Sequence, residues 1–190
     1  GILDVLDHSA PEPLYGGKLG IDATRRLPGE ANRPEPAETR PLPASDTIES
    51  ALRSVSEYLT DHHVAPLDVR NRVLLVSFKK PGDISAQQFR EELLSHADLR
   101  PFSILVLCDD FVDLKDYSTV LWKAFNNVDP RRDLLLQDGR LVIDATRKGP
   151  EDGHHREWPD DIIMDPEIVE RVRRRSKELG IDSWPVFSRA

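Results

Sequence analysis

The sequence predicts an α/β fold: a three-layer sandwich with helices on both faces of a mostly parallel or mixed central sheet, and an antiparallel hairpin at one edge. Two short apolar runs, 73–78 and 102–108, are typical of strands buried on both faces. Segments with helical periodicity separate these runs. Within 134–145, the pair Asp138-Gly139 joins two strand-like segments and supplies the positive φ angles that a tight hairpin turn requires.

The first two helices are predicted from apolar spacing and from capping residues. Asp46 forms a possible capping box with Glu49, and this helix is expected to continue to about Asp61. Ser85 and Gln88 are expected to cap the second helix in the same way. The positions predicted to face inward are Ile48, Leu52, Val55 and Leu59 in the first helix, and Phe89, Leu93 and Ala97 in the second.

Two further helices follow the second strand. Asp165 as N-cap, Pro166 in the first turn and Gly180 after the last turn bracket the final helix. The positions predicted to face inward are Val120, Leu121, Ala124, Phe125 and Val128 in the third helix, and Ile168, Val169, Val172 and Leu179 in the fourth. Helices and strands therefore alternate through most of the chain, which favours parallel strands at the centre of the sheet.

Composition divides the chain into three parts that together form one domain. Residues 1–30 are an arm with two strand-like stretches, residues 31–44 are a proline-rich linker or loop, and residues 45–190 are the α/β core. The chain begins with Gly1 rather than methionine, which we interpret as the remainder of a removed tag on a truncated protein.

Charge and cysteine content exclude several classes of protein. The net charge of −8 and the pI near 5.3 argue against non-specific binding to nucleic acid or to anionic membranes. No apolar run approaches the roughly 18 residues of a membrane span. The single cysteine, Cys108, cannot form an internal disulfide, so we expect a reducing, cytoplasmic environment.

A thirteen-residue segment of the arm recurs in the core. Residues 18–30, KLGIDATRRLPGE, and residues 140–152, RLVIDATRKGPED, are identical at seven positions and share an unbroken IDATR. This unit is a strand end followed by a basic pair and a proline, and we interpret it as duplicated. Its polar residues either form a self-satisfying turn or contact another domain, a subunit or a ligand. The residues assigned to this possible contact are Lys18, Asp22, Thr24, Arg25, Asp144, Thr146 and Arg147.

Acidic residues follow the second buried strand, from Asp109 to Asp116. Ligands of open α/β sheets bind at such strand ends, so these carboxylates are candidate Mg²⁺ ligands beside a phosphorylated compound. The alternative, which we favour, is that one or two of them cap the next helix while the others are solvated. The nucleotide-binding glycine loops of phosphotransfer enzymes are missing from the sequence.

Three other groups of reactive residues have structural interpretations that we favour. Cys108 is a possible nucleophile with His96 or a histidine of the pairs 62–63 and 154–155 as its base, but a cysteine at the end of an apolar strand usually behaves as a small buried hydrophobe. The pairs 62–63 and 154–155 are histidines, which we interpret as loop residues because adjacent side chains diverge. The last helix carries a basic run that we expect to be solvated or to face a subunit: Arg171, Arg173, Arg174, Arg175 and Lys177.

Three segments together resemble the C-terminal region of UbiD-like decarboxylases, close to the branch associated with menaquinone and related quinones. They are GGKLGIDATRRLPGE in the arm, ILVLCDDFVDLKDYSTVLWKAFNNVDPRRDLLL in the core, and REWPDDIIMDPEIVERV near the end. The resemblance covers residues 1–30 and about 100–182, over half the chain. Such enzymes typically carry the GKLGIDAT motif once, after the DPRRD strand, whereas this chain has one copy on each side of Val128–Asp133.

The resemblance implies reversible, non-oxidative decarboxylation of an aromatic or α,β-unsaturated acid by a longer parent protein. The family uses prenylated flavin mononucleotide with a divalent metal and potassium, and its Glu-Arg-Glu catalytic set precedes the region that resembles this chain. We therefore expect no catalytic, cofactor-binding or metal-binding residue here. The resemblance implies a non-catalytic lid and oligomerisation domain, whose partners are the flavin-binding part of the same polypeptide and further copies. The alternative is a free-standing module that binds Mg²⁺ and a phosphorylated ligand at Asp109–Asp116.

Overall fold

A computed structural model of the chain describes residues 2–6, 17–21, 41–66, 72–161 and 163–181. Seven strands lie within these ranges: β1 (Ile2–Leu6), β2 (Gly17–Ile21), β3 (Leu59–Val64), β4 (Val73–Phe78), β5 (Ile104–Asp109), β6 (Leu134–Gln137) and β7 (Arg140–Asp144). The α-helices are α1 (Ser45–Val55), α2 (Arg90–Ser95), α3 (Tyr117–Asn126), α4 (Pro130–Asp133) and α5 (Pro166–Glu178). Short 3-10 helices span Ala86–Phe89, Ala97–Leu99 and Pro150–Asp152.

Five strands form the central sheet in the order β3-β4-β5-β7-β6. The three inner strands, β4, β5 and β7, are parallel, whereas β3 and β6 run antiparallel at the two edges. The predicted mixed α/β sheet and its edge hairpin are thus confirmed. At the hairpin turn Asp138 and Gly139 have φ angles of 52° and 73°, as the Asp-Gly pair requires.

The apolar core lies in two layers, one on each face of the sheet. Alternate strand residues point to opposite faces, so Leu74 and Val76 pack with α1 and α2, while Val73 and Leu75 pack with α3. Every residue of β4 is buried as a result. Helices on both faces of one sheet give the three layers that the sequence predicted.

The edge strand β3 was not predicted. The first helix ends at Val55, Ser56 is extended, and Leu59 begins a strand that pairs with β4. The expected continuation of α1 to about Asp61 is therefore wrong. The capping box is also wrong, because Ala44 is the N-cap and Glu49 pairs with Arg53 at 2.9 Å.

Several helical positions differ from the prediction in their burial. Phe125 and Leu121 of α3 are 45% and 54% exposed, whereas the α3 residues Val120 and Ala124 are buried. On α5 the caps are as predicted, since Asp165 accepts from the Glu167 amide and Gly180 has a φ of 67°. Leu179, expected to face inward, is exposed; the half-buried members of the predicted set are Ile168, Val169 and Val172.

The arm forms its own antiparallel hairpin. Strands β1 and β2 pair as a two-stranded sheet, separate from the five-stranded one, and β2 lies near α4. The predicted linker, 31–44, falls largely outside the described residues, as do Asp22, Thr24 and Arg25 of the first repeat. Within the described part of the chain, no helix has the length and apolar character needed to cross a membrane.

Candidate functional site

The carboxyl ends of the three parallel strands meet at one edge of the sheet and border an open cleft. Because β4, β5 and β7 are neighbours and run in the same direction, the segments that follow them converge there. The cleft has a volume of about 400 Å³ and is lined by residues of the segments 79–82, 109–111 and 147–151. This edge brings together the second IDATR motif, the acidic segment after β5 and two lysines after β4.

The second IDATR motif folds into a turn in which Asp144 and Thr146 hydrogen-bond to each other. Asp144, the last residue of β7, is fully buried, and its Oδ1 accepts hydrogen bonds from the Thr146 amide at 3.1 Å and the Thr146 hydroxyl at 2.6 Å. Thr146 is also fully buried. The bonds between Asp144 and Thr146 are those of the turn interpretation, whereas Asp144 Oδ2 is buried without a hydrogen-bond partner among the described residues.

Lys148 folds back into the same turn with its ammonium group fully buried. Its Nζ donates to Asp144 Oδ1 at 3.0 Å, to the Asp144 carbonyl at 2.9 Å and to the Thr146 carbonyl at 2.6 Å. Asp133 of α4 lies 4.0 Å from the same nitrogen and is likewise buried. A buried cation is retained only when oxygens replace its water shell, and these groups provide that shell.

Asp133 links this turn to the DPRRD segment. Both of its carboxylate oxygens accept from the Arg132 guanidinium, at 2.7 and 2.9 Å, and one also accepts from the Asp129 amide at 2.8 Å. Asp129 in turn caps α4 by accepting from the Arg131 amide at 3.0 Å. The DPRRD segment and the second IDATR copy thus belong to one ionic network that is centred on Lys148.

Lys80 makes a second ionic cluster on the other side of the cleft. Its Nζ donates to the Arg147 carbonyl at 2.9 Å and pairs with Glu151 at 2.5 Å and with Asp152. Burial alone lowers the pKa of Lys80, but the hydrogen bonds to Asp152 and Glu151 outweigh it, so that the pKa is raised. Burial opposes ionisation of Asp152, yet the bonds from Lys80 and the Gly149 amide leave its pKa lowered.

Asp109 ties the end of β5 to the segment after β7. Both of its oxygens accept from the Arg147 amide, at 3.1 and 3.0 Å, and the residue is only 5% exposed. Burial raises the pKa of Asp109 to about 6, although that amide and the nearby charges of Lys123, Lys148 and Arg147 act in the opposite direction. The carboxylate is therefore committed to an internal bond.

Arg147 is the partly exposed member of the motif. Its guanidinium lies 4.8 Å from the centre of the Phe111 ring and 3.9 Å from Asp161. Asp161 also accepts two short hydrogen bonds, at 2.6 and 2.7 Å, from the buried ammonium of Lys123 on α3. The contact of this motif with another domain, a subunit or a ligand remains a prediction. Arg147 is the residue of the predicted set in the second copy whose side chain is partly exposed.

The acidic residues after β5 do not converge on a common point. Asp116 caps α3 by accepting from the Thr119 amide at 3.3 Å and hydroxyl at 2.7 Å, and Asp113 accepts from the Lys115 amide at 2.9 Å. Asp110 is exposed at the cleft. Among the residues that the structure describes, no three His, Cys, Asp or Glu side chains gather to hold a metal ion. These residues therefore do not fit the divalent metal that accompanies prenylated flavin.

Cys108 lies in β5, in the core layer that includes α3, and is fully buried. Burial, followed by the neighbouring charge of Asp109, raises the pKa of its thiol to about 12, so the thiolate is not available at neutral pH. His96 bonds with Ser54 of α1, on the opposite face of the sheet. The nucleophile interpretation is thus not supported.

The histidine pairs are separated from one another in the fold. His62 and His63 lie in β3, not in a loop as expected, and contact Ser45 at 3.0 Å and the Tyr117 hydroxyl at 2.7 Å respectively. His154 packs edge-on against Trp158. The basic run on α5 is exposed as predicted, at Arg171, Arg173, Arg174 and Arg175.

Sequence reasoning missed four charged residues that the structure places in the buried networks: Lys80, Lys123, Asp133 and Lys148. A signal was present for Lys80, because it follows a strand buried on both faces, where polar residues of parallel sheets converge. Lys123 had no such signal, since it occupies an ordinary position of an amphipathic helix.

Comparison with known proteins defines the class to which this fold and its motifs belong. Residues 41–155 match the model of the 3-octaprenyl-4-hydroxybenzoate carboxy-lyase C-terminal domain, which is more than half of the chain. The chain belongs to this UbiD family. Similar proteins include an uncharacterized protein of Helicobacter pylori, 31% identical over 175 residues, and one of Aquifex aeolicus, 31% identical over 140 residues.

These relatives are much longer than the chain. The matched part is 92% of the chain but 27% of the Helicobacter pylori protein, and 65% of the chain but 29% of the Aquifex aeolicus protein. Among solved structures, an evolved dimeric form of the UbiD-class enzyme HmfF from Pelotomaculum thermopropionicum, in complex with prFMN, is similar with a TM-score of 0.52. That similarity covers 66% of this chain and 27% of the enzyme at 16% identity, and it shows a common fold.

Proposed function

We propose that the chain is the C-terminal lid and oligomerisation domain of a longer, prenylated-FMN-dependent decarboxylase that acts on an aromatic or α,β-unsaturated acid. The family match over residues 41–155 is the observation that carries this proposal. In it the chain contributes structure and contacts, and the cofactor, its divalent metal and potassium are held by the flavin-binding part of the polypeptide. The solved relative with prFMN and the greater length of the curated relatives support this division.

The chemistry of decarboxylation supports a non-catalytic role for this part. When the carboxylate leaves as carbon dioxide, the electron pair of the broken carbon–carbon bond needs an acceptor, and the flavin supplies it in such enzymes. The polar groups beside the cleft are already bonded to one another: Lys148 to Asp144, Lys80 to Asp152, and Asp109 to the Arg147 amide. They are suited to holding the strand ends together.

Exposed apolar side chains support the contact role. Phe111 follows β5, and Leu121, Trp122 and Phe125 project from α3; these four residues, the α3 patch, are between 44% and 54% exposed. Large aromatic residues grouped on a surface are typical of protein interfaces. Arg147 stacks on Phe111 beside the cleft, which extends the patch to the edge of the sheet.

The substrate and the cellular setting belong to the same proposal. The matching family model is that of a quinone-precursor carboxy-lyase, which favours a substrate acid in quinone biosynthesis. The single buried thiol of Cys108 suits the cytoplasm, where thiols remain reduced.

The experiment compares this chain with the full-length parent protein after identical reconstitution with prenylated FMN. Bound flavin is measured by absorbance after gel filtration, and carbon dioxide release is measured on a panel of aromatic acids. We expect both signals from the parent and neither from the chain alone. Retention of flavin by the chain, or release of carbon dioxide by it, would contradict the proposal. A parent without either signal would contradict the decarboxylase assignment.

A further inference from the structure

The hairpin of the arm has the same strand register as the edge hairpin of the sheet. Ile21 of β2 and Ile143 of β7 occupy equivalent places in the thirteen-residue repeat. Ile21 pairs with Ile2 at the start of β1, and Ile143 pairs with Leu134 at the start of β6. The two hairpins are therefore equivalent both in the thirteen repeated positions and in the strand, β1 or β6, that precedes each copy.

A second pair of positions repeats the same register. Leu19 pairs with Asp4, just as the equivalent Leu141 pairs with Leu136. The connection between the strands differs in length, because residues 7–16 join β1 to β2 whereas two residues join β6 to β7. Loops vary in length among related proteins more readily than the strands that they connect, so the longer connection is compatible with a common origin of the two hairpins.

The two hairpins differ in what lies beside them. The outer side of β7 pairs in parallel with β5, and the Leu141 amide donates to the Ser103 carbonyl at 2.8 Å. Within the described residues β2 pairs with β1 alone. By equivalence, the amides of Leu19 and Ile21 point to an open edge of the two-stranded sheet.

We infer that β1–β2 is the edge hairpin of a first copy of this domain, and that its open edge pairs with a parallel strand equivalent to β5. The strand is supplied by polypeptide on the N-terminal side of Ile2 in the longer protein, which thus carries two copies in tandem. This inference rests on the part of the proposed function that makes the chain a segment of a longer polypeptide.

Three observations support the inference that a strand of the preceding polypeptide pairs with the open edge of β2. The family match begins at residue 41, after the hairpin and most of the proline-rich segment, so the hairpin lies outside the part of the chain that the domain model covers. The match with the Helicobacter pylori protein covers 92% of the chain, which includes part of the arm, and leaves most of that protein outside the match. An isolated two-stranded hairpin is marginally stable in water and exposes unpaired amides, so a third strand stabilises it.

The test is hydrogen exchange of individual amides in two proteins: this chain, and the longer protein extended by one domain, about 100–150 residues, before Ile2. We expect the Leu19 and Ile21 amides to exchange roughly 100-fold more slowly in the longer protein. The equivalent amides of Leu141 and Ile143 are the internal control and are protected in both. Equal exchange at Leu19 and Ile21 in the two proteins would overturn the inference. Protection that rises with the concentration of the short chain would also overturn it, because a second copy would then occupy the edge.

A substitution gives an independent measurement. Leu19→Pro removes the amide that faces the open edge, so we expect it to lower the melting temperature of the longer protein and to leave that of the short chain nearly unchanged. Leu3→Pro is the matched control, because it interrupts the β1–β2 pairing in both. A Leu19→Pro protein as stable as its parent in the longer form would count against the inference. Neither measurement involves flavin or decarboxylation. A negative result here therefore leaves the proposed function untouched, and a failure of the proposed function leaves these two measurements valid.

Discussion

Lys148 carries a positive charge into the interior of the fold, where two carboxylates surround it. Asp144 and Asp133 lie 3.0 and 4.0 Å from its ammonium nitrogen, and all three side chains are fully shielded from water. In such a cluster each charge is stable only while the others remain, because an isolated buried charge has lost its hydration. The cluster fixes the position of the turn that follows β7.

Replacing Lys148 with methionine should therefore lower the free energy of unfolding by about 3–5 kcal/mol, since two carboxylates lose their common cation. Urea unfolding followed by circular dichroism measures this change. Lys79→Met is the matched control, because Lys79 is exposed at the rim of the same cleft and should change stability by less than about 0.5 kcal/mol. Equal stability of the two variants would show that the buried cluster contributes nothing.

Asp109 makes stability depend on pH. Its pKa in the folded chain, about 6, is above the value near 3.9 of an unfolded chain. As the pH rises, the unfolded chain releases this proton first, so the folded state is progressively disfavoured between about pH 4 and 6 and no further above that range. The cost is roughly 3 kcal/mol.

Asp109→Asn should remove this dependence. We expect the stability of the variant relative to the wild type to increase by up to about 3 kcal/mol between pH 4 and pH 7, because asparagine has no proton to lose. Denaturant titrations at several pH values give the difference, and the comparison between pH values cancels any constant effect of the substitution. Asp110→Asn makes the same substitution at the exposed neighbouring residue and is the control. A difference between Asp109→Asn and wild type that is flat with pH would contradict the raised pKa.

The edge hairpin depends on one glycine. Gly139 has a φ of 73°, and a side chain there strains the backbone although no neighbour would touch its Cβ. Gly139→Ala should reduce the free energy of unfolding by about 1–2 kcal/mol. Gly82→Ala is the control, since its Cβ also meets open space and its φ is not in the strained region. Thermal unfolding of both variants tests this; equal melting temperatures would be inconsistent with it.

Local chemistry made some elements predictable from sequence. The Asp-Gly turn and the caps of α5 act through neighbouring residues, so the structure has them where the sequence predicts them. The start of β3 was missed because Leu59 satisfies two patterns. It continues the helical spacing of Leu52, and it is buried at 2% as the first residue of an edge strand opposite Phe78. Only the pairing with β4, a tertiary contact, decides between them.

The candidate site was predictable in position but not in its partners. The convergence of polar residues at the carboxyl edge follows from the strand order, which the alternating elements suggested. The pairing of Lys148 with Asp133 could not be predicted from the strand order, because the two residues belong to separate segments of the chain. Helical spacing also led to the wrong prediction that Leu121 and Phe125 lie in the core. Periodicity shows which residues share one face of a helix, but it does not show whether that face packs against the rest of the protein.

For the whole molecule, the α3 patch is the surface through which the proposed contacts can be tested. In the full-length protein, Trp122→Ser should weaken the association of domains or subunits about tenfold or more, because an aromatic residue at an interface often contributes over 1 kcal/mol. Analytical ultracentrifugation measures association between subunits, and limited proteolysis measures docking between domains. The melting temperature of the isolated chain should change little, since Trp122 is 44% exposed there.

Leu136→Ser is the control for that experiment. Leu136 is 66% exposed, but it lies on β6 at the edge of the sheet, outside the patch. It should leave association unchanged. If the two variants behaved alike, the α3 patch would not be the contact surface.

The mixed sheet also dictates the order in which the chain can assemble. The hairpin β6–β7 joins neighbours across two residues and can form in roughly 1–10 μs. The parallel partners Val73, Ile104 and Leu141 are each more than 30 residues apart, so their pairing must close long loops before any contact compensates, which is typical of folding in milliseconds or longer. The β6–β7 hairpin at the edge of the sheet is therefore expected to form first, and the central strand β5 to pair with β4 and β7 last.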